Sequence, residues 1–397
     1  MTKRGRGILG LGRNVFVAGL VSLFMDISSE MVYPLVPLFL ADVLGVTMAT
    51  VGVIEGVAEA TASLVKVVSG WLSDRLGRRK LLMALGYGVS TLSRPLIAGA
   101  GSWFEVLTAR FIDRFGKGVR TAPRDAIIAD STEAANLGAA FGFHRAMDTV
   151  GAMIGPGAAF LMLALVTGNY RWVFLASMVP GAVAVLLILF FIKEKAAGPG
   201  PRPKLAPLSI SSFDGTFRRY ILVIGIFSLG TFSDAFVILR AKDVGIAVWL
   251  IPVAYLSFNA VYALASTPMG MLADRIGKNR TVLAGFVFYS VLFLGFAASR
   301  SQWHIWALFA LYGVYKGMSV GVQRAYLAEI APPERRATAF GVYHMMVGLG
   351  LLPASVVAGL LWDLYGAPAA FIYGAAMAAM ASCVFVLSGL AGRKGAI

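Results

Sequence analysis

Apolar residues run along this chain in long blocks, without the strict alternation of a half-buried strand. Twelve blocks of roughly twenty residues or more can be marked, at about 14–40, 47–72, 81–101, 103–130, 137–166, 171–192, 219–240, 245–272, 281–299, 303–330, 337–362 and 366–390. About twenty apolar residues in a helix are enough to cross the hydrocarbon of a bilayer. Strands are excluded, because an open sheet edge leaves backbone groups that lipid cannot satisfy. The pattern therefore predicts an all-α integral membrane protein with twelve transmembrane helices. No connection is long enough to hold a soluble domain.

Composition supports this. Of 397 residues, 58% are hydrophobic and 14% charged, and the mean hydropathy is +0.77. A soluble chain carries about 25% charged residues, so soluble enzyme classes drop out. The single cysteine, Cys383, leaves no disulfide framework and no multi-thiolate metal site. The basic start (Lys3, Arg4, Arg6, Arg13) enters the first apolar block without a small-residue cleavage site, so that block is expected to be retained.

The formal charge of +15 would suggest nucleic acid in a soluble chain, but its distribution gives another reading. Connections on the side of the N-terminus hold 21 Lys and Arg. They lie before the first block, at Arg75–Lys80, between Lys193 and Arg219, at Arg275–Arg280, and at Arg335, Arg336, Arg393 and Lys394. The opposite connections hold four: Arg171, Arg240, Lys242 and Arg300. The positive-inside rule then places both termini in the cytoplasm of a bacterial-type inner membrane, with no nucleic-acid partner required.

The halves repeat at an offset of about 200. Gly70–Lys80 (GWLSDRLGRRK) matches Gly270–Arg280 (GMLADRIGKNR), Arg124 matches Arg324, and Ala139–His144 (AAFGFH) matches Thr338–Tyr343 (TAFGVY). Between them, the Gly/Pro-rich GPGPRPK reads as a linker. The expected layout is a six-helix bundle over 1–192, a cytoplasmic linker over 193–218 and a second six-helix bundle over 219–397, with a shared site between bundles. The doubled GxLaDRxGRRk-type loop resembles the signature loop of the major facilitator superfamily, and the resemblance covers the whole chain. Gly151-x-x-x-Gly155-Pro156 is similar to the motif of the family's antiporters, with Ala158-Ala159 in place of the usual trailing Gly-Gly. The resemblance implies a secondary transporter working by alternating access, which is not an enzyme and needs no cofactor or resident metal.

Charges inside the blocks supply the candidate chemistry. In the fourth block Arg110, Asp113, Arg114, Lys117, Arg120, Thr121, Arg124 and Asp125 fall within about 140° of helical arc. Such charges must line water or pair with acids. Acids stand at i,i+4 in Asp26 with Glu30 and in Glu55 with Glu59, and the fifth block adds His144, Arg145 and Asp148. The second half is sparser, with Asp234, Lys316, Gln323, Arg324, Glu329 and His344. Arg114, Lys117, Arg120, Arg124, Lys316, Gln323 and Arg324 are the candidate solute-binding residues. A pseudo-two-fold axis would bring Arg124 and Arg324 to opposite walls of one cavity. Asp26, Glu30, His144, Asp148 and Asp234 are the candidates for proton coupling. Gly70, Asp74, Arg75, Gly77, Arg78, Gly270, Asp274, Arg275 and Gly277 are the candidate gating residues. In that loop Gly70 is read as a close helix approach and Gly77 as a tight reversal. For each buried charge the competing reading is a structural ion pair.

The favoured function is secondary active transport of a small polar, anionic solute, with protons as coupling ion and export or antiport as a possible direction. The protein is expected to act as a monomer in the lipid bilayer. The rivals are a metal-ion exporter using Asp26, Glu30, Glu55, Glu59 and His144, a drug exporter, and a non-transporting receptor on the same fold. No Ser-His-Asp or H-E-x-x-H arrangement and no ATP-binding loop is present in the sequence.

Overall fold

The computed structural model describes residues 12–132, 136–194, 213–332 and 336–392. Helices occupy every predicted block, and among the described residues no strand occurs. The first block is two helices, α1 (Arg13–Val32) and α2 (Val36–Asp42), broken at Tyr33-Pro34-Leu35. Pro34 has no N–H to continue the helical ladder. Then come α3 (Met48–Leu76), α4 (Arg79–Gly99), α5 (Trp103–Asp130) and α6 (Leu137–Leu161), the last continued by wider turns to Thr167. The sixth block is α7 (Tyr170–Ala176) and α8 (Met178–Phe191).

The second half runs through α9 (Gly215–Gly230), α10 (Ala235–Asp243), α11 (Ile251–Ile276), α12 (Lys278–Ala298), α13 (Gln302–Ile330), α14 (Arg336–Tyr365) and α15 (Ala367–Leu387). Its first block is also broken, at Thr231–Asp234, the place in the repeat that corresponds to Tyr33–Leu35. Neither break was visible in hydropathy, because both lie inside apolar blocks. At the second break the freed backbone is met by side chains. Ser233 N–H donates to Ser355 Oγ at 3.1 Å, and Tyr289 Oη donates to the Gly230 carbonyl at 3.1 Å.

Among the described residues, ten helical spans are long and apolar enough to cross a membrane by length and composition. The other two predicted spans are α3 and α5, helices of 29 and 28 residues. The observed α5 has the predicted ends. Ser102 Oγ accepts from Glu105 N–H, and the Glu105 carboxylate accepts from Gly101 N–H at 2.6 Å, a reciprocal cap that fixes its start.

The chain divides into two compact units, one within Met1–Leu35 and Thr61–Leu205, the other within Val36–Ala60 and Ala206–Ile397. By this division residues 36–60 go with the second half of the sequence, and α3 changes unit between Ala60 and Thr61. In the first unit an aliphatic core (Val21, Met25, Met83, Ile128, Ile188) closes around Tyr87. In the second unit the core is aromatic. Tyr289 and Phe293 stack at 3.8 Å, and Phe227, Phe286, Phe296 and Phe371 pack around them.

Both signature loops reverse at a glycine of positive φ, Gly77 at +62° and Gly277 at +99°, as that loop chemistry requires. The close approach expected at Gly70 is a correction. A Cβ on Gly70 would meet only Ala122 Cβ at 3.5 Å, an ordinary contact, and one on Gly270 would meet nothing within 4 Å. The backbones come together instead at Gly86 and Gly116, where a Cβ on either would lie within 2.7 Å of the other's carbonyl oxygen. Arg75, Arg78, Asp274 and Arg275 are exposed, and the Asp74 side chain lies outside the described residues. So do most of the linker, Arg335 and the basic terminal residues.

Candidate functional site

In the first unit the α4–α5 glycine contact sets a row of arginines inside the helices. Arg94, Arg110, Arg114 and Arg120 are at most 6% exposed, and among the described residues of this unit Asp113 is the one carboxylate buried as deeply. Arg94 Nη2 lies 3.4 Å from Asp113 Oδ1, and Arg110 Nη1 lies 3.8 Å from Asp113 Oδ2. Arg94 also donates to Ser28 Oγ and Ser29 Oγ at 3.3 and 3.1 Å. Tyr33, at the break between α1 and α2, has the Arg110 and Arg114 guanidiniums over its ring at 5.7 and 5.6 Å. Arg120 stands 4.4 Å from the Tyr87 ring, and its Nη1 is buried without a hydrogen-bond partner. Each such ring contact stabilises a desolvated cation by about 2 kcal/mol. That is far less than the cost of burying it.

Beside this basic pole lies an acidic one. The Gly151-x-x-x-Gly155 face of α6 packs directly on α1. A Cβ on Gly151 would lie 2.9 Å from Asp26 Cβ, and one on Gly155 would lie 2.8 Å from Glu30 Cβ. The charged groups around Asp26 are Asp148, Glu30, Lys117 and Arg120. Asp148 Oδ2 is 3.6 Å from His144 Nδ1 and 3.9 Å from Arg145 Nη1, and His144 Nε2 is 2.6 Å from Ser22 Oγ. Four of the five proton-coupling candidates, Asp26, Glu30, His144 and Asp148, thus share one neighbourhood, with Arg120 reaching it from the basic pole. Arg124 is tied to its neighbour Asp125 at 2.9 Å, and Lys117 is exposed.

The second unit has a smaller polar site. At the α9–α10 break, Asp234 Oδ1 accepts from Tyr312 Oη at 2.5 Å and from Lys316 Nζ at 3.1 Å, and Lys316 lies over the Tyr312 ring at 5.0 Å. Gln323 donates to Ser319 Oγ at 2.8 Å and accepts from Tyr343 Oη at 2.8 Å. Arg324 is exposed and donates to the Val320 carbonyl of its own helix, so its surroundings differ from those of half-buried Arg124. Among the described residues no three of His, Cys, Asp and Glu are grouped to hold a metal ion.

Tyr33, Tyr87, Ser22, Ser28, Ser29 and Tyr312 were missed in the sequence because nothing in their spacing marks them. The break at Pro34 was the one available signal for Tyr33.

Three of the four cations counted in connections on the side away from the N-terminus are tied to other parts of the protein. Arg171 donates to the Ala98 carbonyl at 2.6 Å, and Arg240 is buried and donates to the carbonyls of Phe296 and Ser299. Each closes the C-terminal end of a helix, α4 or α12, where carbonyls lack intrahelical partners. Lys242 pairs with Asp42.

The chain belongs to the Major Facilitator Superfamily, whose model matches residues 18–240 and 221–394. It is 35% identical over 374 residues to an MFS-type transporter of Methanocaldococcus jannaschii, covering 93% of each chain. It is 27% identical to a multi-drug resistance efflux pump PmrA homolog of Lactococcus lactis, covering 87% of each. Among solved structures, the nucleoside transporter NupG matches with a TM-score of 0.79 at 13% identity, covering 94% of this chain and 99% of that one, a likeness of fold. The protein is thus a multi-pass membrane protein of a transporter family, with twelve helical spans in the all-α fold of that superfamily.

Proposed function

We propose that the protein is a proton-coupled secondary transporter that moves a small anionic solute by alternating access. The reading is carried by the concentration of positive charge on α4 and α5, where Arg94, Arg110, Arg114 and Arg120 are all buried around Asp113. Ionisable groups inside a membrane are costly, and they are retained there where they handle a solute or ion. Arginine meets a carboxylate or phosphate with two parallel hydrogen bonds. Arg114 and Arg120 are the recognition residues in this reading. The acid cluster of Asp26, Glu30 and Asp148 exchanges the coupling proton, since carboxylates sharing a site take up and release protons as a pair or set. Both termini lie in the cytoplasm and the chain acts as a monomer.

Export of drugs is the second reading. It is favoured by relatives whose names are those of multidrug resistance proteins, the Lactococcus protein among them and MdtG of Citrobacter koseri at 23% identity. Proteoliposomes with an imposed pH gradient separate the two. The first reading expects accumulation of anionic solutes that collapses with the gradient and is lost in Asp26→Asn with Glu30→Gln. Gradient-driven movement of cationic dyes alone would support drug export instead.

A further inference from the structure

Residues 36–60 come from the first half of the chain, yet they are bound into the second unit by a set of contacts at one end of α14. The N-terminus of α3 receives a carboxylate from that helix. Asp363 Oδ1 accepts from Met48 N–H at 2.9 Å and Asp363 Oδ2 from Ala49 N–H at 2.8 Å, while Thr47 Oγ1 accepts from Thr50 N–H at 3.2 Å. Three of the four amides that open a helix are satisfied in this way. The charge of Asp363 also meets the positive end of the α3 dipole, whose first turn has no acid of its own.

Below the cap, α3 and α14 touch through backbone. A Cβ on Gly52 would overlap the Ser355 carbonyl, one on Gly56 would lie 2.9 Å from Leu352 Cα, and one on Gly359 would lie 2.7 Å from Ala49 Cα. Deeper still, Ser233 Oγ donates to buried Glu55 at 3.5 Å. At the rim Lys242 pairs with Asp42.

We infer that Asp363, with the Asp42–Lys242 pair, is a latch that holds the α2–α3 segment on α14 in this state and must release for the protein to change state. The inference rests on the transport reading, since a protein with one working state needs no latch. The contacts suit the role. Both electrostatic contacts lie at the solvent-exposed end, Asp363 itself being exposed, so water can replace them at low cost. The face beneath meets largely through glycine and backbone, at Gly52, Gly56 and Gly359. The break at Tyr33–Leu35 supplies a place for the segment to swing.

The test needs no solute and no assumption about orientation. Ser355 is fully buried beneath α3. A Ser355→Cys variant lacking Cys383, purified into nanodiscs, is therefore labelled by a thiol reagent only when the segment lifts. Asp363→Ala should raise the labelling rate about fivefold, the effect of removing a cap, and Asp363→Asn should raise it less because one acceptor remains. Asp42→Lys should also raise it, and the double exchange Asp42→Lys with Lys242→Asp should restore the slow rate. Thermal unfolding of each variant shows that it is folded. Unchanged labelling in folded Asp363→Ala and Asp42→Lys overturns the latch. Fast labelling in the variants together with no solute movement in proteoliposomes leaves the latch standing and removes the transport reading.

Discussion

Helices α5 and α13 occupy the same place in the two repeats, yet they are built on different physics. α5 carries Arg110, Asp113, Arg114, Lys117, Arg120, Arg124 and Asp125, four of them buried, and binds its neighbours through Gly86–Gly116 and through charges met by serines and tyrosine rings. α13 carries Lys316, Gln323, Arg324 and Glu329, and sits in a unit whose core is stacked aromatics. One ancestral layout has become a half that holds charge and a half that holds shape. In the second half one cation, Lys316, stands on Asp234, whereas in the first four buried arginines gather around Asp113.

Removing the central acid of each half probes this most strongly. Asp113→Asn leaves Arg94 and Arg110 buried without their carboxylate and should destabilise the protein by about 3–5 kcal/mol. Asp234→Asn, at a site about one-fifth exposed, should cost about 1 kcal/mol. Denaturation in detergent with a ligand-free sample checks both, and equal losses would mean that the two halves do not differ in how they hold charge. A smaller contrast lies in the glycines. Gly116→Ala forces a methyl against the Gly86 carbonyl and should cost about 1–3 kcal/mol, while Gly270→Ala, with open space around it, should stay within about 0.5 kcal/mol of the parent. Smallest is the effect on solute affinity of arginine-to-lysine changes at the repeat-related pair. Arg124→Lys disturbs a half-buried guanidinium held on Asp125 and should weaken binding up to about tenfold. Arg324→Lys, exposed and bonded to its own helix, should change it less than about twofold. A matched fall in both would restore the symmetric two-wall site that the repeat suggests.

Much of the fold could be read from the chain because hydropathy in a membrane protein reports length directly. All twelve blocks are helical, and α5 begins and ends at the predicted Trp103 and Asp130. The breaks in α1–α2 and α9–α10 could not be read, since one lies at a proline inside an apolar block and the other has no proline at all. Close helix contacts were assigned to the signature glycine Gly70, whereas Gly86, Gly116, Gly151 and Gly155 make them, because a glycine in a sequence does not show which face it lies on. The buried charges were expected to line water or to pair with acids. The identities of their partners depend on contacts across tens to hundreds of residues, such as Arg94 with Ser28 and Asp363 with Met48, and no local spacing encodes these.

The account stands most directly on what the arginine core of the first unit binds. Purified protein, wild type and Arg120→Gln, can be screened for thermal stabilisation by matched sets of anionic, neutral and cationic solutes. The account predicts that anionic solutes raise the melting temperature of the wild type, that neutral amide or ester analogues of the same solutes do not, and that Arg120→Gln loses the shift while its ligand-free melting temperature stays close to the parent's. Stabilisation by cationic solutes, undiminished in Arg120→Gln, would contradict it.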